Sequence, residues 1–328
     1  MSRFSRRSFL RRSAVLLPAL AVPGWAMGFG QRVPRIGFLS GAVPSLVSAF
    51  ETEIRKLGLV SGRNLLLEMR LSRPNTDDLA KHAAELAAMD LDLVVAGALP
   101  QALAVRTANP AMPMVIATCP GMVSNGFAQS LDHPGGIYTG IDELPPGVTA
   151  RRMDLLNVVA PTHKRIALLS TTPGRGGHET QLADAEAAAR RLGVAVKPYR
   201  AASFDELKSA LNACAADGME ALLNFQGGLS LANRQLIVEF AAQRRLPAIY
   251  QSAFFVEAGG LMAWAPDQEE QYRIAARYAA KIIRGAKPGD LPVVYPPGYQ
   301  LSVNTTAART LGLTLPASLL AKATRVTG

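Results

Sequence analysis

The feature that most limits what this chain can fold into is a strand-and-helix grammar that runs once and then restarts. Short apolar runs of strand length alternate with longer stretches of helical period, and Arg35 to Leu39 (RIGFL) has its counterpart in Arg165 to Leu169 (RIALL). Such alternation builds parallel βαβ units, because a strand reaches a parallel neighbour only through a crossover long enough to hold a helix. The restart points to two similar halves rather than one long sheet. The expected class is therefore α/β, with two doubly wound parallel-sheet lobes joined by hinge crossovers.

In the first half the strand RIGFL is followed by the turn Ser40 to Pro44 and a helix from Ser45 to Leu57, with Leu46, Ala49 and Phe50 near one face and Gly58 as its stop. Strands are expected at Asn64 to Arg70, Leu93 to Ala96, Met114 to Ala117 and Ile137 to Ile141. A helix from Asp77 to Met89, opened by Asn75 or Thr76, and a shorter one ending at Thr107 connect them. The break Pro145-Pro146-Gly147 precedes the restart. The second half then reads as helices Val148 to Val159, Glu179 to Leu192, Phe204 to Ala216 and Leu231 to Gln243, with strands Val194 to Lys197, Ala221 to Asn224, Ala248 to Tyr250 and Leu261 to Trp264. This divides the chain into an N-terminal lobe (27–145, with part of 265–304 crossing back), a C-terminal lobe (146–264) and a crossover and C-terminal segment (265–328). A cleft at the carboxyl ends of the strands is where such sheets bind ligands.

Residues 1–26 read as a segment apart. Ser5-Arg6-Arg7-Ser8-Phe9-Leu10 is a twin-arginine export motif ahead of an apolar run, Ala14 to Val22, too short to span a bilayer. Gly24 and Ala26 place cleavage after Ala26, and no Cys stands near it for lipid attachment. The expected product is periplasmic and soluble rather than lipid-anchored. Removing five arginines with this segment lowers the formal charge from +10 to +5, and the remaining basic residues are scattered, which gives no footprint for nucleic acid. Cys119 and Cys214 fall in different halves and are expected as two free thiols.

The chemistry of bond breaking finds little support. No G-x-S-x-G elbow or phosphate loop occurs, and His82, His133, His163 and His178 have no metal-ligand spacing. Gly174-Arg175-Gly176-Gly177 fails as a dinucleotide fingerprint and reads as a rim loop of the cleft. What recurs instead is small, hydroxyl or amide residues at strand ends, at Ser40-Gly41, Gly97-Ala98, Thr118, Ser170-Thr171-Thr172 and Gln226-Gly227-Gly228. These present dipoles and hydrogen-bonding groups without reactive ones. Phe225, Tyr250, Phe254, Phe255 and Trp264 near the same edge offer aromatic faces. Neither cofactor nor metal is expected.

RIGFLSG (35–41), LGLVSGRNLLLEMR (57–70), PMVIATCPGMVSNGFAQSLDHPGGIYTGI (113–141), RRLPAIYQSAFFVEAGGLMAWAPD (244–267) and NTTAARTLGLTLPASLLAKA (304–323) together resemble the ABC-transporter substrate-binding proteins of tryptophan/tyrosine type, a branch of the type I periplasmic binding fold. The resemblance implies a monomer whose two lobes close on a small solute and deliver it to a separately encoded permease and ATPase. It implies ligand contacts from Ser40, Ala98, Leu99, Thr118, Cys119, Ser124, Thr171, Phe225, Gln226, Tyr250 and Gln251, with Trp264 where members carry Tyr. Members mostly carry Asp-Pro at Cys119-Pro120, which removes a partner for a solute ammonium group and leaves a less charged or anionic solute open beside an amino acid. The same cleft would serve a sensory solute receptor, and an exported two-domain α/β enzyme is the alternative from another class.

Overall fold

The computed structural model describes residues 32–41, 43–72, 78–172, 174 and 177–328. The export motif and its apolar run lie outside these residues, as do Asn75 and Thr76 and, in the glycine-rich loop, Arg175 and Gly176. Val33–Gly328 forms one compact unit. Its first half runs β1 (Arg35–Gly41), α1 (Pro44–Lys56), β2 (Leu66–Ser72), α2 (Asp78–Ala87), β3 (Leu93–Ala96), α3 (Leu99–Ala108), β4 (Met114–Cys119) and β5 (Tyr138–Asp142). The five strands form a parallel sheet in the order β2-β1-β3-β4-β5. Every residue of β3 and β4 is buried, as expected of parallel strands covered on both faces.

The chain then continues through α4 (Val148–Val159), β6 (Arg165–Ser170), α5 (His178–Leu192), β7 (Ala195–Arg200), α6 (Phe204–Ala216), β8 (Ala221–Asn224), α7 (Gly228–Ala232), α8 (Arg234–Gln243), β9 (Ala248–Tyr250), α9 (Ala253–Glu257) and β10 (Met262–Pro266). After these come α10 (Gln268–Ile283), β11 (Tyr299–Asn304), α11 (Thr305–Thr310), α12 (Ala317–Leu320) and β12 (Arg325–Thr327). The second sheet has seven strands in the order β12-β11-β10-β9-β8-β6-β7. Only its β10–β11 pairing is antiparallel among the described ladders.

That antiparallel pair has a topological cause. After β10 the chain leaves the second sheet, and α10 packs Tyr272, Ala275, Ala276 and Ala279 onto the first sheet beside Phe38, Phe50 and Val115. A further stretch keeps to the first sheet through the bridge between Ile141 and Val294 before β11 returns to pair with β10. Three stretches thus pass between the sheets: 142–148, 266–268 and 294–299. Apolar clusters fill both faces of each sheet, with α1 and α10 over one face of the first and α2 and α3 over the other. In the second, α4 and α5 cover one face and α6 and α8 the other.

Local sequence sets the element ends. The Ser203 hydroxyl caps α6 by accepting from the Glu206 N–H, and Asp267 caps α10 by accepting from Glu270 N–H at 3.1 Å. The expected helix Leu231 to Gln243 is instead two helices, broken at Asn233, whose side chain donates back to the Leu229 carbonyl at 2.9 Å. Among the described residues no helix is long and apolar enough to cross a membrane.

Candidate functional site

Both sheets direct their strand carboxyl ends at one cavity of about 50 Å³. From the first half, Ala98, Leu99 and Pro100 reach it from the β3–α3 turn, Thr118 and Pro120 from the end of β4, and Glu143 from just beyond β5. From the second, Thr172 follows β6, Gln226, Gly227 and Gly228 follow β8, and Gln251 and Ser252 follow β9. Leu231 on α7 and Gln268 at the start of α10 complete the wall. The two sides touch at one rim, where a Cβ on Gly228 would stand 3.1 Å from Pro100 Cγ. Beneath the wall, Gly97 leaves room for a hydroxyl pair, Ser40 Oγ and Tyr272 OH at 2.8 Å. A Cβ at Gly97 would fall 2.3 Å from the first and 2.5 Å from the second.

Glu143 is the one ionisable group among the described lining residues. Its carboxylate accepts from the Gln226 side-chain amide, which belongs to the opposite sheet. Burial drives its pKa up from 4.5 to about 7, against the pull of hydrogen bonds from Thr118 and Gln226 and of the Arg152 charge. Arg152, wholly buried on α4, donates from Nε to the Trp264 carbonyl at 2.9 Å and from Nη2 to Gln226 Oε1 at 3.4 Å, while its Nη1 is buried without a partner. Burial lowers its pKa to about 10. The Tyr299 hydroxyl, at the start of β11, donates to the Glu143 backbone carbonyl. Next to it Asp142 accepts from the N–H groups of Gly121, Met122 and Leu144 at 2.8–3.0 Å and so fixes the loop after β4.

Beside the apolar Ala98, Leu99, Pro100, Pro120 and Leu231, the rest of the wall carries amides and hydroxyls. Gln251 accepts from Asn224 Nδ2 at 2.6 Å and donates to Ser230 Oγ at 3.2 Å, and the Ser252 hydroxyl donates to Gln268 Oε1 at 2.6 Å. Amides of this kind offer donors and acceptors in fixed directions, which suits recognition of a small polar molecule. A serine–histidine contact does occur, Ser170 Oγ to His178 Nδ1 at 2.8 Å, but both residues are buried beside Phe225 and neither lines the cavity. No three His, Cys, Asp or Glu side chains among the described residues are grouped to hold a metal ion.

Of the residues expected from the sequence, Ala98, Leu99, Thr118, Gln226 and Gln251 stand together in the wall. Ser40 lies under it, bonded to Tyr272, and Thr171 lies behind it, its hydroxyl accepting from the Ser230 N–H at 3.2 Å. Ser124 sits in the loop after β4, with its hydroxyl on the Gly121 carbonyl. Cys119, Phe225 and Tyr250 turn into the cores, and Trp264 packs on Tyr299 with ring centroids 5.9 Å apart. Side chains alternate along a strand end, so Thr118 and Pro120 face the cavity and Cys119 between them does not. Glu143, Ser252 and Gln268 were not foreseen. The acid pair Asp142-Glu143 at the end of β5 was the available signal for Glu143.

Two parallel-dominated α/β sheets with a cavity between their carboxyl ends make this a type I periplasmic binding fold. The model of the ABC transporter substrate binding protein family matches residues 40–327, so the chain belongs to that family. It is similar to a conserved domain protein from Vibrio cholerae, at 23% identity over 90% of this chain and 100% of that one, with a TM-score of 0.82. It is also similar to an ABC domain from Streptococcus pneumonia solved with L-Trp, at 23% identity, 90% and 100% coverage and a TM-score of 0.80. The ligand-free, open structure of a substrate binding protein with adhesive properties from Clostridium difficile aligns at 21% identity, over 90% and 99%, with a TM-score of 0.64. No curated protein matches the chain in sequence.

Proposed function

We propose that this chain captures a small organic solute between two lobes, 27–145 with part of 265–304 and 146–264, outside the cytoplasm and delivers it unchanged to a separately encoded ABC permease and ATPase. The observation that carries this reading is the cavity itself, walled by hydrogen-bonding groups from both sheets. Solute then bridges two half-sites, and its greater affinity for the closed arrangement draws the lobes together. The better alignment with the tryptophan complex than with the ligand-free open structure supports reading the present arrangement as closed. The solute contacts are Ala98, Leu99, Thr118, Gln226 and Gln251, joined by Glu143 and Gln268. Residues 1–26 serve as the twin-arginine signal, and the processed product acts as a soluble periplasmic monomer. At about 50 Å³ the closed space suits a compact solute, well below the roughly 300 Å³ at which drug-sized pockets begin.

A thermal-shift screen of the chain without residues 1–26 tests this, against amino acids, aromatic acids, nucleosides and small carboxylates. A true solute at 100 times its Kd stabilises by about 2.7 kcal/mol and is recovered chemically unchanged. A compound that the protein converts refutes the reading.

A further inference from the structure

Glu143 holds two positions at once. It lines the cavity, and it sits in 142–148, the first of the three stretches that join the sheets. Around it the other two stretches converge: the Trp264 carbonyl, just before 266–268, receives Arg152, and Tyr299, closing 294–299, bonds the Glu143 carbonyl. The guanidinium reaches the carboxylate only through the Gln226 amide, and no direct ion pair joins them among the described residues. The Glu143 carboxylate is therefore buried by the meeting of the two halves without a cation in contact with it.

We propose that Glu143, held by Arg152 as its positioning residue, gates closure: the bare carboxylate keeps the solute-free lobes apart, and a proton, or a donor or positive charge carried by the solute, lets them meet. This rests on the two-lobe solute-binding reading. Parting the halves returns Glu143 to water, and this rehydration outweighs the loss of the Gln226 bond, which favours the carboxylate, so the open form holds the proton less tightly. The sign follows. With the closed-form pKa near 7 and an open form near the ordinary 4.5, acidification through that window favours closing, and above it each closing event buries an unneutralised charge. The other ionisable groups facing Glu143 are Asp142 from β5, Arg152 from α4, Cys119 from β4, Tyr272 from α10 and Tyr299 from β11. Burial pushes the Cys119 thiol and both phenols upward, which keeps them neutral across the window.

The test is small-angle scattering of the solute-free full chain from pH 5 to 8.5, with the proton as probe. Wild type is expected to become more compact as pH falls through about 7, its closing constant rising roughly tenfold or more. Glu143→Gln stays compact throughout and Arg152→Lys follows wild type. Arg152→Met, where it folds, moves the midpoint to higher pH, because the positive charge that favours the carboxylate is gone. A wild-type profile that is flat, or a Glu143→Gln profile with the wild-type midpoint, overturns the gate. If a screened compound still compacts a protein whose pH profile is flat, the gate falls and the solute-binding reading stands. If neither pH nor any screened compound compacts the protein, both fall.

Discussion

Replacing Glu143 by Gln should make the protein more stable at alkaline pH, although it removes a hydrogen-bonded side chain from the cleft. The folded chain holds the Glu143 proton to about pH 7, against 4.5 for an ordinary glutamate. Below 4.5 both states are protonated and the group is neutral in its effect. As pH rises from there, the unfolded chain loses the proton first, and stability falls until the folded form ionises too. At about 1.36 kcal/mol per pH unit, the accumulated penalty is about 3 kcal/mol at pH 8.5 and under about 1 kcal/mol at pH 5. Glutamine cannot ionise, so this slope disappears in the variant. Urea unfolding of both proteins at both pH values reads the difference of differences, in which the altered hydrogen bond cancels. The expected result is a variant that gains up to roughly 2 kcal/mol more over wild type at pH 8.5 than at pH 5, the parting of the wild-type lobes relieving whatever penalty exceeds the cost of opening. An equal gap at the two pH values would refute burial as the cause of the shifted titration.

Gly97→Val should cost about 1–3 kcal/mol through overpacking against the Ser40–Tyr272 pair, seen as a lowered Tm; an unchanged Tm would mean that the pair yields freely. Gly228→Val adds bulk where the rim already meets Pro100, so scattering should show a larger solute-free particle and solute affinity should drop several-fold at unchanged urea stability. Cys119 and Cys214 are free and buried, so a thiol reagent should label neither in the native protein and both in denaturant. Rapid native labelling would place at least one thiol at the surface.

The class of fold was legible because strand and helix periods differ and the pattern repeats. RIGFL and RIALL became β1 and β6, and the helix expected from Phe204 to Ala216 is α6 to the residue. What escaped was short: α9 has five residues, under two helical turns, and the edge strand β12 three, too few for a repeating pattern to show. In the cleft, strand-end residues whose side chains face outward were found, while those whose side chains turn inward, such as Cys119 and Tyr250, share the same sequence address. Glu143 was hidden because an acid before Pro145-Pro146-Gly147 reads as solvated linker, and Arg152 because one of two adjacent arginines on a helix reads as surface. Only the packed structure distinguishes Arg152, fully buried, from its exposed neighbour Arg151.

The triple connection between the sheets also decides how the molecule would respond to being cut. A protease that nicks any one of 142–148, 266–268 or 294–299 leaves two intact tethers, and β10 and β11 remain zipped to each other by their antiparallel ladder. Fragments from a single cut should therefore stay together in native buffer and part only under denaturation.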